Sequence, residues 1–307
     1  VLIFTGEKKL DLTFLMKLRI AAVSLVGIVL LGIVGWLFVK PDDILGIVTI
    51  KTSSINISDA IVLAALAFGA GFLAYFVAWP YGRQVGVLAV PVGLAWIAIR
   101  SGDFGGYAQM NPDIDTRLAM LASFKFEPFF WLLLAGAGYA GVLAGQSFKK
   151  ATPKVNIESE PPKFNFLNFI ITVAIAGAIA RIAISLFVQD VRVADTNLGN
   201  LIGQPAKAQI CLGLVAAFGI VGFFVRLLFK TDYIMCSLAG AFLPAAIIGF
   251  KIHPEQVKSL AENYPPVFYT DVIGAILPIQ IIAFGCIGCY IGYWGAIRYE
   301  YWKKTGI

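Results

Sequence analysis

The sequence predicts an all-α polytopic integral membrane protein with about eight transmembrane helices, arranged as two parallel four-helix repeats. Three observations carry that prediction. The 307 residues are 59% hydrophobic and only 14% charged, with a mean hydropathy of +0.83. A soluble domain carries roughly 25% charged residues, and so large a deficit leaves too little polar surface to face water. Eight stretches are apolar enough to cross a hydrocarbon core of about 30 Å, which takes roughly 20 helical residues. Finally, similar residues recur in the same order in the two halves of the chain.

Taken in order, residues 1–17 form a cytoplasmic N-terminal segment. The chain begins at Val1, so a native start before it is expected, and no cleavable signal peptide is visible. Spans are expected at 18–39, 58–79, 84–99 and 129–147, which make a first membrane repeat over 18–147. A cytoplasmic linker over 148–164 carries Lys149, Lys150, Lys154 and Lys163 among Pro153, Pro161 and Pro162. Spans at 165–188, 208–229, 233–250 and 272–295 make the second repeat, 165–297, and a basic–aromatic tail over 298–307 closes the chain. The third and seventh spans are the shortest and contain Pro91 and Pro244, which predicts kinks or close pairing with a neighbour. The eighth contains Pro278.

Charge sets the expected orientation. With the N-terminus inside, fourteen Lys and Arg fall on the inner side and nine on the outer, with Arg181 left within a span. The acids divide the other way, six inside and twelve outside. Lys and Arg favour the cytoplasmic side, so both termini are expected in the cytoplasm, in an inner or plasma membrane. Trp36, Trp79, Trp96 and Trp131 lie near span ends, where an amphipathic ring suits the headgroup region. The net charge of +6 is then explained by topology and anionic lipid. The bilayer is the expected partner, and nucleic acid is not.

The duplication rests on order rather than on any one match. Leu37-Phe38-Val39 ends the first span and Leu186-Phe187-Val188 the fifth, while Phe68-Gly69 corresponds to Phe218-Gly219. The loop before the fourth span holds Pro112-Asp113 and, six residues beyond the proline, Leu118-Ala119. The loop before the eighth holds Pro254-Glu255 and Leu260-Ala261 at the same interval. Proline followed by acid suits a first helical turn, so each segment is expected to form a short surface helix. Spans four and eight each carry a small-xxx-small pair for close helix packing, Gly141/Gly145 and Gly288/Gly292.

Arg181 is the sharpest single residue, because charge inside a span is costly and by default marks function. It lies about seven residues, or roughly 10 Å, from the outer end of its span, and can also snorkel outward or pair with an acid. Asp59 and Asp271 open spans two and eight on the same side, and with Arg181 and Gln280 they are the candidate substrate or ion pathway. Asn165, Asn168 and Thr172 share one helix face at i, i+3 and i+7, suited to interhelical hydrogen bonds or a groove.

Other patterns read as packing. Gly136-Ala137-Gly138-Tyr139-Ala140-Gly141 fits a dinucleotide fingerprint in letters, but that motif needs a preceding strand and here lies mid-span. Cys286 and Cys289 stand one turn apart with no further Cys or His nearby in sequence, and the lone His253 cannot build a haem or His-rich metal site. No metal, cofactor or catalytic residue is expected. The reading is of a non-catalytic subunit that packs with other membrane subunits or with itself. The alternatives are a transporter or channel with a path between the repeats, and an intramembrane enzyme acting on lipid.

Overall fold

Helices satisfy their own backbone in hydrocarbon, and apolar stretches of this length take that form here. The computed structural model describes residues 13–43, 46–148 and 166–305. In chain order the helices are α1 (Phe14–Val39), α2 (Ile57–Val77), α3 (Ala89–Arg100), α4 (Phe104–Met110), α5 (Ile114–Ser123) and α6 (Glu127–Phe148), then α7 (Phe166–Phe187), α8 (Lys207–Phe229), α9 (Tyr233–Lys251), α10 (Pro254–Asn263) and α11 (Pro278–Thr305). Eight stretches of the described residues are long and apolar enough to span a membrane. They are α1, α2, α3 with its flanking turns, α6 with α5, α7, α8, α9 and α11. The chain is a multi-pass helical membrane protein. The segment before Thr13, nearly all of the 148–164 linker, and Asn165 lie outside the described residues.

Within the first four spans α2 packs along α6, and α1 lies against α2 and α3. Within the last four α8 packs along α11, and α7 lies against α8 and α9. The halves meet where α3 touches α11 and where α6 touches α9 and α11. Glycine permits the two longest crossings. A β-carbon on Gly141 of α6 would run into the carbonyl of Phe68 on α2, and one on Gly292 of α11 into the carbonyl of Gly219 on α8. Gly145 lies against the Tyr75 ring and Gly288 against the Val215 carbonyl, so all four glycines singled out for packing sit at helix contacts. The Gly136–Gly141 run lies within α6, as helix and not as a phosphate loop.

Among the described residues the long connections gather at one end, the looped end. Segment 46–55 folds back there: Val48 N–H donates to Ser101 Oγ at 2.8 Å, and Ser53 Oγ to the Val39 carbonyl that ends α1 at 2.6 Å. The two Pro-acid segments form α5 and α10, which touch each other. Strands β1 (Arg192–Asp195), β2 (Gly199–Gly203) and β3 (Phe268–Tyr269) form a small antiparallel sheet in the order β1-β2-β3 that the all-α expectation does not contain.

One span differs from its expected bounds. Pro91 falls in the first turn of α3, where its missing N–H costs nothing; an α-helical turn, Gly82–Val85, and a 3-10 turn, Gly86–Leu88, precede it and complete the third crossing. The eighth helix begins at Pro278 rather than near 272, because the residue before proline is disfavoured in helical geometry. It then continues through the expected tail to Thr305. Pro244 does lie inside α9.

Gly141→Ala and Gly292→Ala are expected to lower stability by about 1–3 kcal/mol each through overpacking. Gly136→Ala, with open space around it, is expected to be neutral or slightly stabilising; thermal unfolding in one detergent separates the two classes.

Candidate functional site

Arg181 lies on α7, six residues before the helix ends at Phe187. Ser185 follows one turn on along the same face, and Gln189, just past the helix end, joins them in lining one cavity at the looped end. Opposite them the chain leaves β3 through Thr270 and Asp271. Asp271 caps a single tight turn, Val272–Ala275, its Oδ1 accepting from Ile273 N–H at 3.0 Å. Its Oδ2 accepts from Arg181 Nη2 at 2.6 Å, an ion pair ninety residues apart in sequence. The Asp271 side chain is 4% exposed and that of Arg181 25% exposed, so this pair is far drier than a surface salt bridge.

The pair forms one wall of a cavity of about 480 Å³. The sheet supplies Arg192 and Asn200, α10 supplies Gln256, and Thr270 completes the polar lining. Arg192 is held by Nη2 donating to the Ser185 carbonyl at 3.1 Å, a cation at the C-terminal turn of α7 where the helix dipole favours it. The turn that aims the hairpin is built by Asp195, whose Oδ1 accepts from Asn197 N–H at 2.8 Å and Leu198 N–H at 2.6 Å, before Gly199 at φ +77°. Tyr264, just past α10, donates its hydroxyl to Asp195 Oδ2 at 2.6 Å. That bond and the two turn N–H groups hold the Asp195 carboxyl below the usual carboxylate range, and the same bond pushes the Tyr264 hydroxyl up.

The candidate pathway residues therefore divide. Arg181 and Asp271 come together at the cavity. Asp59 caps α2, accepting from Asn56 N–H at 3.1 Å, and does not line it. Gln280 takes Leu277 N–H at 3.0 Å and so closes the buried start of α11. Thr172 is buried and donates to the Asn168 carbonyl one turn back at 2.7 Å, while the Asn168 side chain is exposed. Cys286 and Cys289 are free thiols, Cys289 beside Cys236, and no three His, Cys, Asp or Glu among the described residues converge as metal ligands would.

Several polar residues here escape sequence reading. Arg192 and Gln189 gain meaning only once the hairpin folds over α7, and the Asp-Thr-Asn-Leu-Gly turn at 195–199 is the signal for that hairpin. Gln204 accepts from Gly105 N–H and donates to the Ala275 carbonyl, both at 3.1 Å. Lys207 donates to the Ser101 carbonyl at 2.5 Å and the Ile99 carbonyl at 3.3 Å, a cation at the end of α3. Buried Glu127 accepts from the Trp131 indole at 3.0 Å.

Asp271→Asn should cost about 2 kcal/mol by leaving the Arg181 charge unpaired, less than a fully buried pair because Arg181 is partly exposed. The Arg181→Gln, Asp271→Asn double variant should recover part of that loss, and melts of the three proteins test the coupling. Because the Asp195 pKa is lowered in the fold, its contribution is present above the usual carboxylate range and lost as pH falls through the folded value. Amide exchange over 195–203 should accelerate on acidification, and Tyr264→Phe should remove part of that pH dependence. Comparison of the chain with protein-family models, with curated proteins and with solved structures finds no match.

Proposed function

We propose that this chain is a non-catalytic membrane subunit, two four-helix units fused in one chain, which packs laterally with other membrane subunits or with itself. The observation that carries this reading is the seam between the halves. One continuous apolar core runs through it, including Leu94, Trp131 and Leu134 with Ala241, Ile279 and Ile282. Phe129 of α6 meets Phe242 of α9 edge to face, ring centroids 5.2 Å apart. The polar cavity is built by α7, the hairpin and α10, to one side of that seam.

The fused-repeat reading draws support from equivalent contacts at one register. Gly71 meets the Gly138 carbonyl and Gly222 the Cys289 carbonyl, while Gly141 meets the Phe68 carbonyl and Gly292 that of Gly219. Each partner is offset by 151 residues from its counterpart, one more than the Phe68-Gly69 match suggests, and Gly141 corresponds to Gly292 rather than Gly288. The helix pairings of the first four spans recur among the last four. An even number of spans per unit makes such repeats parallel. The positive bias of the opposite end orients the looped end outward, with both termini cytoplasmic.

Extraction in a mild detergent should yield a particle larger than one chain with its lipid belt, as read by light scattering with mass analysis of the components. A stable monomer in that experiment would remove the subunit reading. A transport reading is favoured by the cavity that reaches Arg181 from the looped end. It expects an anion-selective current in planar bilayers bathed in potassium chloride, abolished by Arg181→Ala, and a silent bilayer leaves the subunit reading in place.

A further inference from the structure

We infer that the Arg181 cavity binds the phosphodiester of a lipid headgroup carrying one net negative charge, with the acyl chains lying along α7; this stands apart from the subunit reading. Charge is the first argument. Arg181 and Arg192 face the cavity against one acid, Asp271, whose two oxygens are already taken by Arg181 Nη2 and the Ile273 N–H. One positive charge is left over, which matches a phosphodiester and not a dianion.

The second argument is donor capacity. A guanidinium carries five N–H donors in a planar fork that fits phosphate oxygens. Arg181 uses Nη2 on Asp271, and its Nη1 is buried without a hydrogen-bond partner, so Arg181 contributes its charge at the cavity wall. Arg192 uses Nη2 on the Ser185 carbonyl. Gln189, Asn200, Gln256 and Thr270 add neutral hydrogen-bonding groups around the charge, as the hydroxyls of a polar headgroup require. The volume of about 480 Å³ lies within the range of small-molecule sites.

Position supplies the third argument and selects the source of the phosphate. Arg181 is six residues short of the end of α7, roughly 9 Å along the axis, so its charge sits just inside the span with the cavity opening above it towards the looped end. Ile182 and Leu186, each next in sequence to a cavity residue, are 62% and 68% exposed and lie one turn apart. With Ala178, Ala174 and Ile171, exposed on the same face further into the span, they form an apolar strip running from beside the cavity down the membrane-spanning helix, where an acyl chain continuous with the headgroup would lie. A soluble phosphodiester has the same charge but nothing to place on that strip.

The test uses the full purified chain, stripped of co-extracted lipid, with native mass spectrometry against three probes: phosphatidylglycerol, phosphatidylcholine and soluble glycerophosphoglycerol. One phosphatidylglycerol per chain should be retained at least about tenfold more tightly than either other probe. Arg192→Gln leaves the Arg181–Asp271 pair intact and loses the bond to the Ser185 carbonyl, so its melting temperature measured without lipid should fall only slightly. It should weaken phosphatidylglycerol about tenfold, the loss of one charge-assisted hydrogen bond. Equal retention of phosphatidylglycerol and phosphatidylcholine, or full retention by Arg192→Gln, overturns the site. Glycerophosphoglycerol binding as tightly as the lipid overturns the lipid assignment and makes the cavity a site for a soluble anion.

Discussion

A backbone N–H or C=O left unpaired inside a membrane protein costs several kcal/mol, and the looped end is organised around one place where that cost arises. Between β3 and α11 the chain runs through Val272, Ile273 and Leu277, all fully buried, without forming a regular helix. Side chains take over the pairing: Asp271 accepts from Ile273, Gln204 donates to Ala275, and Gln280 accepts from Leu277. The carboxylate that serves this turn then needs a counter-charge, and Arg181 supplies it. The intramembrane arginine, costly by itself, is thus tied to a break in the backbone ninety residues away in sequence.

The same economy extends to the connections that cover the bundle. Gln204 also holds the start of α4 through Gly105, and its own N–H donates to the Val267 carbonyl at 2.8 Å. Ser101 receives Val48, and Lys207 closes the last carbonyls of α3. The Gln204–Gly105 and Lys207–Ser101 bonds join the first four spans to the last four at the looped end, while apolar packing joins them below it. The cavity inherits its rigidity from this cover: the hairpin is pinned by Tyr264, and Arg192 by the end of α7.

Much of the fold is legible in the sequence, because twenty apolar residues in a row admit few alternatives to a membrane helix. Seven of the eight spans fall close to their expected bounds, the third with the short helical turns over Gly82–Val85 and Gly86–Leu88 that precede α3. The eighth is misplaced because hydropathy counts Val272–Leu277 as span, whereas Pro278 fixes where the helix can begin. Short, half-exposed strands such as Arg192–Asp195 carry no such signal. At the site, Arg181 and Asp271 are each conspicuous as charges at a membrane, but the link between them depends on the path of β3 and is invisible to spacing. Gln280 and Asp59 look equally polar on paper, yet both are absorbed by helix starts.

The seam has a further consequence. Its pairings, α3 with α11, α9 with α6, and α6 with α11, map onto themselves when the halves are exchanged. That is the pattern of an isologous two-fold dimer. Under the proposed duplication, the linker turns such a dimer into a single gene product whose halves can diverge independently. In this register, a residue 151 positions before Arg181 is Leu30. A homodimer would carry the arginine cavity twice or not at all, whereas the fused chain carries a lopsided particle with one charged corner, and so has a front and a back in the plane of the membrane.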